Sequence, residues 1–192
     1  MKSAVVFGAR QPLGYELCVQ LLEKGYKVYA KDFAEWQNED HEEKWLYIGR
    51  NANLQYEHLN HIFEEKHDSI QYFFIPLADF YKRDFPEIQE RFTQLLKEYG
   101  KENVFSNSNI VLIQSSAIHF RNSNFYSEIE RFKKEIQENI TNVIEYCIPI
   151  NEQDKFLLST TNQREDWCTL KISLSSNSIV NEIIEHIETT AY

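Results

Sequence analysis

The sequence predicts a doubly wound, three-layer α/β fold around a parallel sheet, and three features carry that prediction. Short continuous apolar runs lie at residues 4–7 and 72–77, the second inside a strand-like segment 70–77, and a further strand-like segment spans 109–114. Strands covered by helices on both faces read this way, without inside–outside alternation. Between the runs lie segments with apolar residues every three or four positions, the period of a helix packed on a sheet. The first run, the following helix and the second run fit within about 30 residues, the size of a βαβ crossover, which joins parallel strands. With 192 residues, 42% of them apolar and 26% charged, the chain has the length of a single domain, residues 1–192, with a sizeable core.

Each element follows from local pattern. The first strand, residues 4–7, ends at Gly8. Leu13, Leu17, Cys18, Leu21 and Leu22 line one face of a helix, and Gly25 stands where a helix-ending glycine belongs. Residues 26–30 form the second strand, closed by Lys31 and Asp32. The run 45–48 predicts a third strand, and 54–66 a helix with Leu59, Ile62 and Phe63 on one face. Residues 70–77 make the fourth strand. A helix over 85–99 buries Ile88, Phe92, Leu95 and Leu96 and closes at Gly100. A strand at 109–114, a helix over 126–139 and a strand at 142–150 follow. Segments 156–161 and 167–174 flank a polar stretch and read as a hairpin or as two separate strands. A last helix spans 179–187, with Asn177 or Ser178 as its N-cap.

Charge narrows the partners. Thirty acidic residues against twenty basic leave a net charge of −10, which disfavours nucleic acid and anionic membranes. The largest basic cluster is Arg131, Lys133 and Lys134. No apolar run approaches the ~20 residues of a membrane span, and no secretory leader is evident. Cys18, Cys147 and Cys168 are odd in number and widely spaced, which points to a reducing compartment. A cytoplasmic protein acting on a small molecule is the expectation. His58 and His61 sit three apart, but no further ligand completes a metal set, so no metal site is expected.

Residues 8–14 read Gly-Ala-Arg-Gln-Pro-Leu-Gly, between the first strand and the first helix. Helix N-terminal amides attract anions, so this turn is the place for a phosphate. It resembles the nucleotide-binding turn of the short-chain dehydrogenase/reductase family: Gly8 and Gly14 match the first and last glycines, with Ala9 after the first and Leu13 before the last. The resemblance implies a Rossmann-like fold and an NAD or NADP cofactor held by Gly8, Arg10, Gln11, Leu13, Gly14 and Asp32. Asp32 lies 24 residues after Gly8, where the family's carboxylate accepts the ribose hydroxyls, which favours NAD. Arg10 would pair with a 2′-phosphate or with the pyrophosphate. The family's middle glycine is replaced by Gln11 or Pro12, and Pro12 also removes an amide donor. Only five glycines occur in the whole chain, against ordinary usage of about 7%.

The resemblance extends, by order of elements, to about residue 150. Ser115 and Ser116 follow the fifth strand, where the family carries a serine that orients a carbonyl substrate. Tyr126 lies where its acid–base tyrosine is expected. Four residues on, the family has a lysine; here stands Glu130, which raises rather than lowers a nearby phenol's pKa. Arg131 is about 100° round the helix, and Lys133 and Lys134 are nearly two turns away. The Asn-Asn-Ala-Gly stretch after the fourth strand keeps only its alanine, Ala78, and residues 79–84 read as a solvated loop. Three functions are consistent with this pattern. The first is a dinucleotide-binding protein with impaired hydride transfer, a pseudoenzyme. The second is an active oxidoreductase using Tyr126 or His119 without the lysine. The third is a non-catalytic module that has lost its cofactor. Family members pair through their long helices, so the segments 85–99 and 126–139 are the expected faces of a homo-oligomer.

Overall fold

The computed structural model describes residues 1–36, 39–59, 70–81, 86–102, 104–105, 107–115, 123–139, 142–148, 156–160, 168–170 and 176–190. Eight strands form one sheet: β1 (Ser3–Phe7), β2 (Lys27–Asp32), β3 (Leu54–His58), β4 (Tyr72–Ile75), β5 (Asn109–Ser115), β6 (Val143–Ile148), β7 (Phe156–Thr160) and β8 (Cys168–Leu170). Their order is β3-β2-β1-β4-β5-β6-β7-β8. The first six are parallel, and β7 and β8 add antiparallel at one edge. The order reverses between β1 and β4, the switch point at which doubly wound sheets open a crevice.

The continuous apolar runs divide between two layers. Ala4, Val6, Val28, Ala30, Phe74, Val111 and Ile113 pack beneath α1 (Pro12–Glu23), α2 (Glu39–Ile48) and α6 (Ser176–Thr190). Their neighbours Val5, Phe7, Phe73, Ile75, Ile110 and Leu112 point the other way, into a core with α4 (Pro86–Lys101) and α5 (Asn124–Asn139). The short α3 (Leu77–Phe80) follows directly on β4. Two apolar faces per strand are what leaves no polar alternation in the sequence.

Four local expectations are corrected. Residues 45–48 are the end of helix α2, not a strand. Trp45 is buried and Ile48 half-buried, one helical turn apart, while Leu46 and Tyr47 are 74% and 83% exposed. The third strand is instead Leu54–His58, where a five-residue ladder with β2 overrides the helical spacing; residues 60–66 lie outside the described residues. Helix α4 runs through Gly100 to Lys101. The pair at 156–161 and 167–174 is settled as adjacent antiparallel strands. The last helix begins at Ser176, so Asn177 and Ser178 fall within it. Among the described residues no helix is long and apolar enough to cross a membrane.

Candidate functional site

The crevice at the switch point is built around the turn after β1. Gly8 has φ 63°, a left-handed conformation open to glycine at little strain. The turn is pinned to β2 and closed on itself: Ala9 N–H donates to Lys31 O at 3.2 Å and Gln11 N–H to Gly8 O at 2.9 Å. Pro12 opens α1, where a missing N–H leaves no helical bond unmade. At Gly14 a Cβ would stand 2.0 Å from Gly8 O, so α1 crosses β1 backbone against backbone. The strand–turn–helix expected from the two glycines is therefore present.

The chain's own side chains fill it. Asp79, the third residue of α3, reaches across to the start of α1, and its Oδ2 accepts Leu13 N–H at 3.0 Å and Gly14 N–H at 3.1 Å. These amides lie at the positive end of the helix dipole, where an anion is most stabilised. Asp32 accepts Arg10 N–H on Oδ2 and Phe33 N–H on Oδ1, both at 2.8 Å, and has no exposed surface. Burial pushes its carboxyl up to about 7, against the pull of those amides and the Arg10 guanidinium, with Asp79 adding to the rise. Gln11 is equally enclosed, and its Nε2 donates to Trp36 O at 3.1 Å. The Trp36 ring lies 4.6 Å from that of Phe80, and both rings approach Gly8. The Arg10 guanidinium is 4.3 Å from the centre of the Tyr56 ring and 5.1 Å from that of Trp45, and it pairs with Glu42.

A dinucleotide would meet this arrangement at three points. Its pyrophosphate would need the amides that Asp79 holds, and its ribose would need a carboxylate that is wholly enclosed. Its adenosine end would meet an arginine already lying against two rings. A second anion beside Asp79 would also meet like charge at short range in a poorly solvated site. As arranged, these residues do not fit the cofactor.

The other end of the crevice lies over β5 and α5. Ser115 is the last residue of β5. By alternation it belongs to the face of Ile113 and of its register partner Ile148, whereas Tyr126, in the first turn of α5, packs against the α4–α5 core. Tyr126 N–H donates to Ser123 Oγ at 3.1 Å. Ser116 and His119 lie outside the described residues. Beyond Tyr126 runs a polar chain: Tyr81 Oη donates to Gln114 Oε1 at 3.2 Å, Gln114 Nε2 donates to Glu145, and Lys133 Nζ lies 2.8 Å from both Glu145 Oε2 and Glu130 Oε1. Burial alone would lower the Lys133 pKa, but Glu145 and Glu130 outweigh it and the net shift is upward. Burial pushes the Tyr81 phenol up, with Tyr126, Glu130 and Glu145 adding to the rise.

Asp79 is the residue that sequence reasoning placed wrongly. It is 4% exposed, not part of a solvated loop; Lys82, Arg83 and Asp84 lie outside the described residues. The available signal was an acidic residue directly after Ala78, where the resemblance called for glycine. Trp36, Tyr56 and Gln114 carried no motif at all, because their roles depend on contacts between strands and helices far apart in sequence. Among the described residues no group of three or more His, Cys, Asp or Glu is placed to hold a metal ion. His58 is in β3, its ring 5.4 Å from that of Tyr56; His61 lies outside the described residues.

Comparison with known proteins agrees on the fold. No protein-family model matches the chain, and no curated protein matches it. Solved structures do. An Aeromonas hydrophila oxidoreductase assigned to the short-chain dehydrogenase/reductase family is similar over 96% of this chain and 90% of its own, at 10% identity and TM-score 0.55. The Lmo0794 protein of Listeria monocytogenes is similar over 99% and 94%, at 10% identity and TM-score 0.54. The yeast methylglyoxal/isovaleraldehyde reductase Gre2, solved with NADPH, is similar over 79% of this chain and 60% of its own, at 14% identity and TM-score 0.50. The chain thus spans 60% of the length of the yeast reductase. At these identities the likeness is one of fold, and the chain has the Rossmann-like fold of the short-chain dehydrogenase/reductases.

Proposed function

We propose that this protein keeps that fold as a scaffold and works without hydride transfer, as a non-catalytic module. The observation that carries the reading is Lys133. The position four residues after Tyr126 holds a carboxylate, and that carboxylate, with Glu145, binds the Lys133 ammonium at 2.8 Å. The position where the resemblance puts the lysine that lowers the tyrosine pKa and holds the nicotinamide ribose therefore carries a negative side chain, Glu130. The NADPH complex of the yeast reductase favours a second reading, in which a dinucleotide is still bound but not turned over, with NAD preferred through Asp32. For partners, a second copy of the chain packed against the outer faces of α4 and α5 is part of the proposal, and light scattering on the purified protein tests it.

The test of the main reading is turnover. The protein is incubated with NADH or NADPH and a panel of aldehydes and ketones while nicotinamide absorbance is followed. No oxidation above the protein-free rate is expected. Turnover that disappears in Tyr126→Phe would establish the oxidoreductase reading instead.

A further inference from the structure

We propose that the Asp79 carboxylate is a resident substitute for a nucleotide phosphate, so that the cradle at the start of α1 is closed from within and the protein as it stands takes no dinucleotide. This goes beyond the absence of hydride transfer, since a protein can lose chemistry and still bind its cofactor.

Four observations converge. Asp79 Oδ2 is within hydrogen-bond distance of both Leu13 N–H and Gly14 N–H, the two amides at the head of α1 that follow Pro12. The carboxylate is 4% exposed, so it is part of the interior and not a surface cap. The same α3 turn brings Phe80 against Trp36, at 4.6 Å between ring centres, and both rings against Gly8. Asp32, the second group a dinucleotide would need, has both oxygens engaged by backbone amides and no exposed surface.

The competition is unequal. A carboxylate fixed by the fold competes as an intramolecular ligand, with an effective concentration of millimolar or higher. A phosphate from solution must displace it, and the displaced charge then stays buried beside Asp32 without its amide donors. Removing the Asp79 charge reverses both terms. It returns two helix-terminal donors to any incoming anion and removes the carboxylate that repels it.

The experiment is calorimetric titration of inorganic pyrophosphate and of ADP into the wild-type protein, Asp79→Asn and Asp79→Gly, with circular dichroism to follow the fold. Asp79→Asn keeps an oxygen acceptor for the helix amides and removes the charge. Asp79→Gly also clears the space. The expected result is no heat of binding for wild type at ~1 mM and pyrophosphate binding by Asp79→Gly at least about tenfold tighter, weakening with added salt, with Asp79→Asn between them. Pyrophosphate binding by wild type as tight as by Asp79→Gly would overturn the proposal. So would folded variants that bind no anion, and so would loss of the fold in both variants, because a replaceable phosphate substitute is not a folding requirement. None of these outcomes bears on hydride transfer, which the turnover assay reads separately.

Discussion

At the α1 end of the crevice the backbone keeps the shape of an anion cradle, with Gly8 and Gly14 in place, and one carboxylate, Asp79, fills it. At the α5 end the scaffold is kept as well, but the charges are inverted: Glu130 stands four residues after Tyr126, and Lys133 is clamped between two carboxylates. The first departure is a single side chain laid over intact geometry. The second involves several residues whose interactions support one another. A cradle can therefore be reopened by one substitution, whereas a catalytic cation cannot be restored without dismantling a buried polar chain.

The sharpest way to break the comparison is at Gly14. If the α1 end is intact geometry, its backbone contact tolerates no side chain. A Cβ at Gly14 would lie 2.0 Å from Gly8 O and 2.6 Å from Gly8 C, and no rotamer relieves a clash with backbone. Gly14→Ala is expected to destabilise by more than about 5 kcal/mol, enough to prevent folding. A folded Gly14→Ala protein by circular dichroism, with an unfolding midpoint near wild type, would show that α1 does not need this contact.

The next largest effect separates the two ends by pH. Asp32 is the α1-end group whose carboxyl is pushed up to about 7 by burial, while an unfolded aspartate titrates near 3.9. Between those values the folded chain keeps a proton that the unfolded chain has released. The Asp32 contribution is therefore full below pH ~4 and is lost as pH rises towards 7, at about 1.4 kcal/mol per pH unit and on the order of 4 kcal/mol in all. Urea unfolding of wild type and Asp32→Asn across this range reads it. The stability difference between the two proteins should shift in favour of Asp32→Asn as pH rises. A pH-independent difference would mean that Asp32 is charged in the fold.

Much of the scaffold was legible because its signals are local. The apolar runs gave the parallel strands, Gly8 and Gly14 gave the turn, and the 3.6-residue spacing gave α1, α4, α5 and α6. The exchange of strand and helix around residues 45–58 failed because a four-residue apolar run has no period of its own. Trp45 and Ile48 face inward one turn apart, and only the tertiary structure exposes Leu46 and Tyr47 between them. The site was half legible. Glu130 announced the inverted charge directly, by its spacing from Tyr126. Asp79 showed only as an acidic residue in place of an expected glycine, and its role did not show, because its partners Leu13 and Gly14 lie 66 and 65 residues away. Lys133 is nearly two turns from Tyr126 by helical spacing, yet it meets Glu145 of β6 and, through it, the polar chain that reaches Tyr81.

At the α5 end, Lys133→Met tests whether the polar chain is coupled. Glu145 has 10% of its side chain exposed and, among the described residues, would keep Gln114 as its side-chain donor. Leaving a buried carboxylate without its cation is expected to destabilise by about 3 kcal/mol. Glu145→Gln in the same protein should recover most of that loss, since it removes the unpaired charge. Denaturant midpoints of the two single variants and the double variant read the coupling. Additive losses would show that Lys133 and Glu145 are neighbours without a shared role.

The smallest expected effect asks which carboxylate holds Lys133. Glu130 and Glu145 bind the ammonium at the same 2.8 Å, but 34% of the Glu130 side chain is exposed against 10% for Glu145. Water screens the outer pair, so Glu130→Gln should destabilise by less than about 1 kcal/mol, well below the loss in Lys133→Met. The same substitution removes the negative charge that would oppose a Tyr126 phenolate. If charge at this one position were the barrier to chemistry, Glu130→Gln would begin to oxidise NADPH with a carbonyl acceptor. No turnover is expected, because Lys133 stays bound to Glu145 and Asp79 stays on the α1 amides. A loss as large as that of Lys133→Met would mean that the clamp draws equally on both carboxylates. Turnover in Glu130→Gln would mean that charge at this one position was the barrier, and that a dinucleotide binds with Asp79 in place.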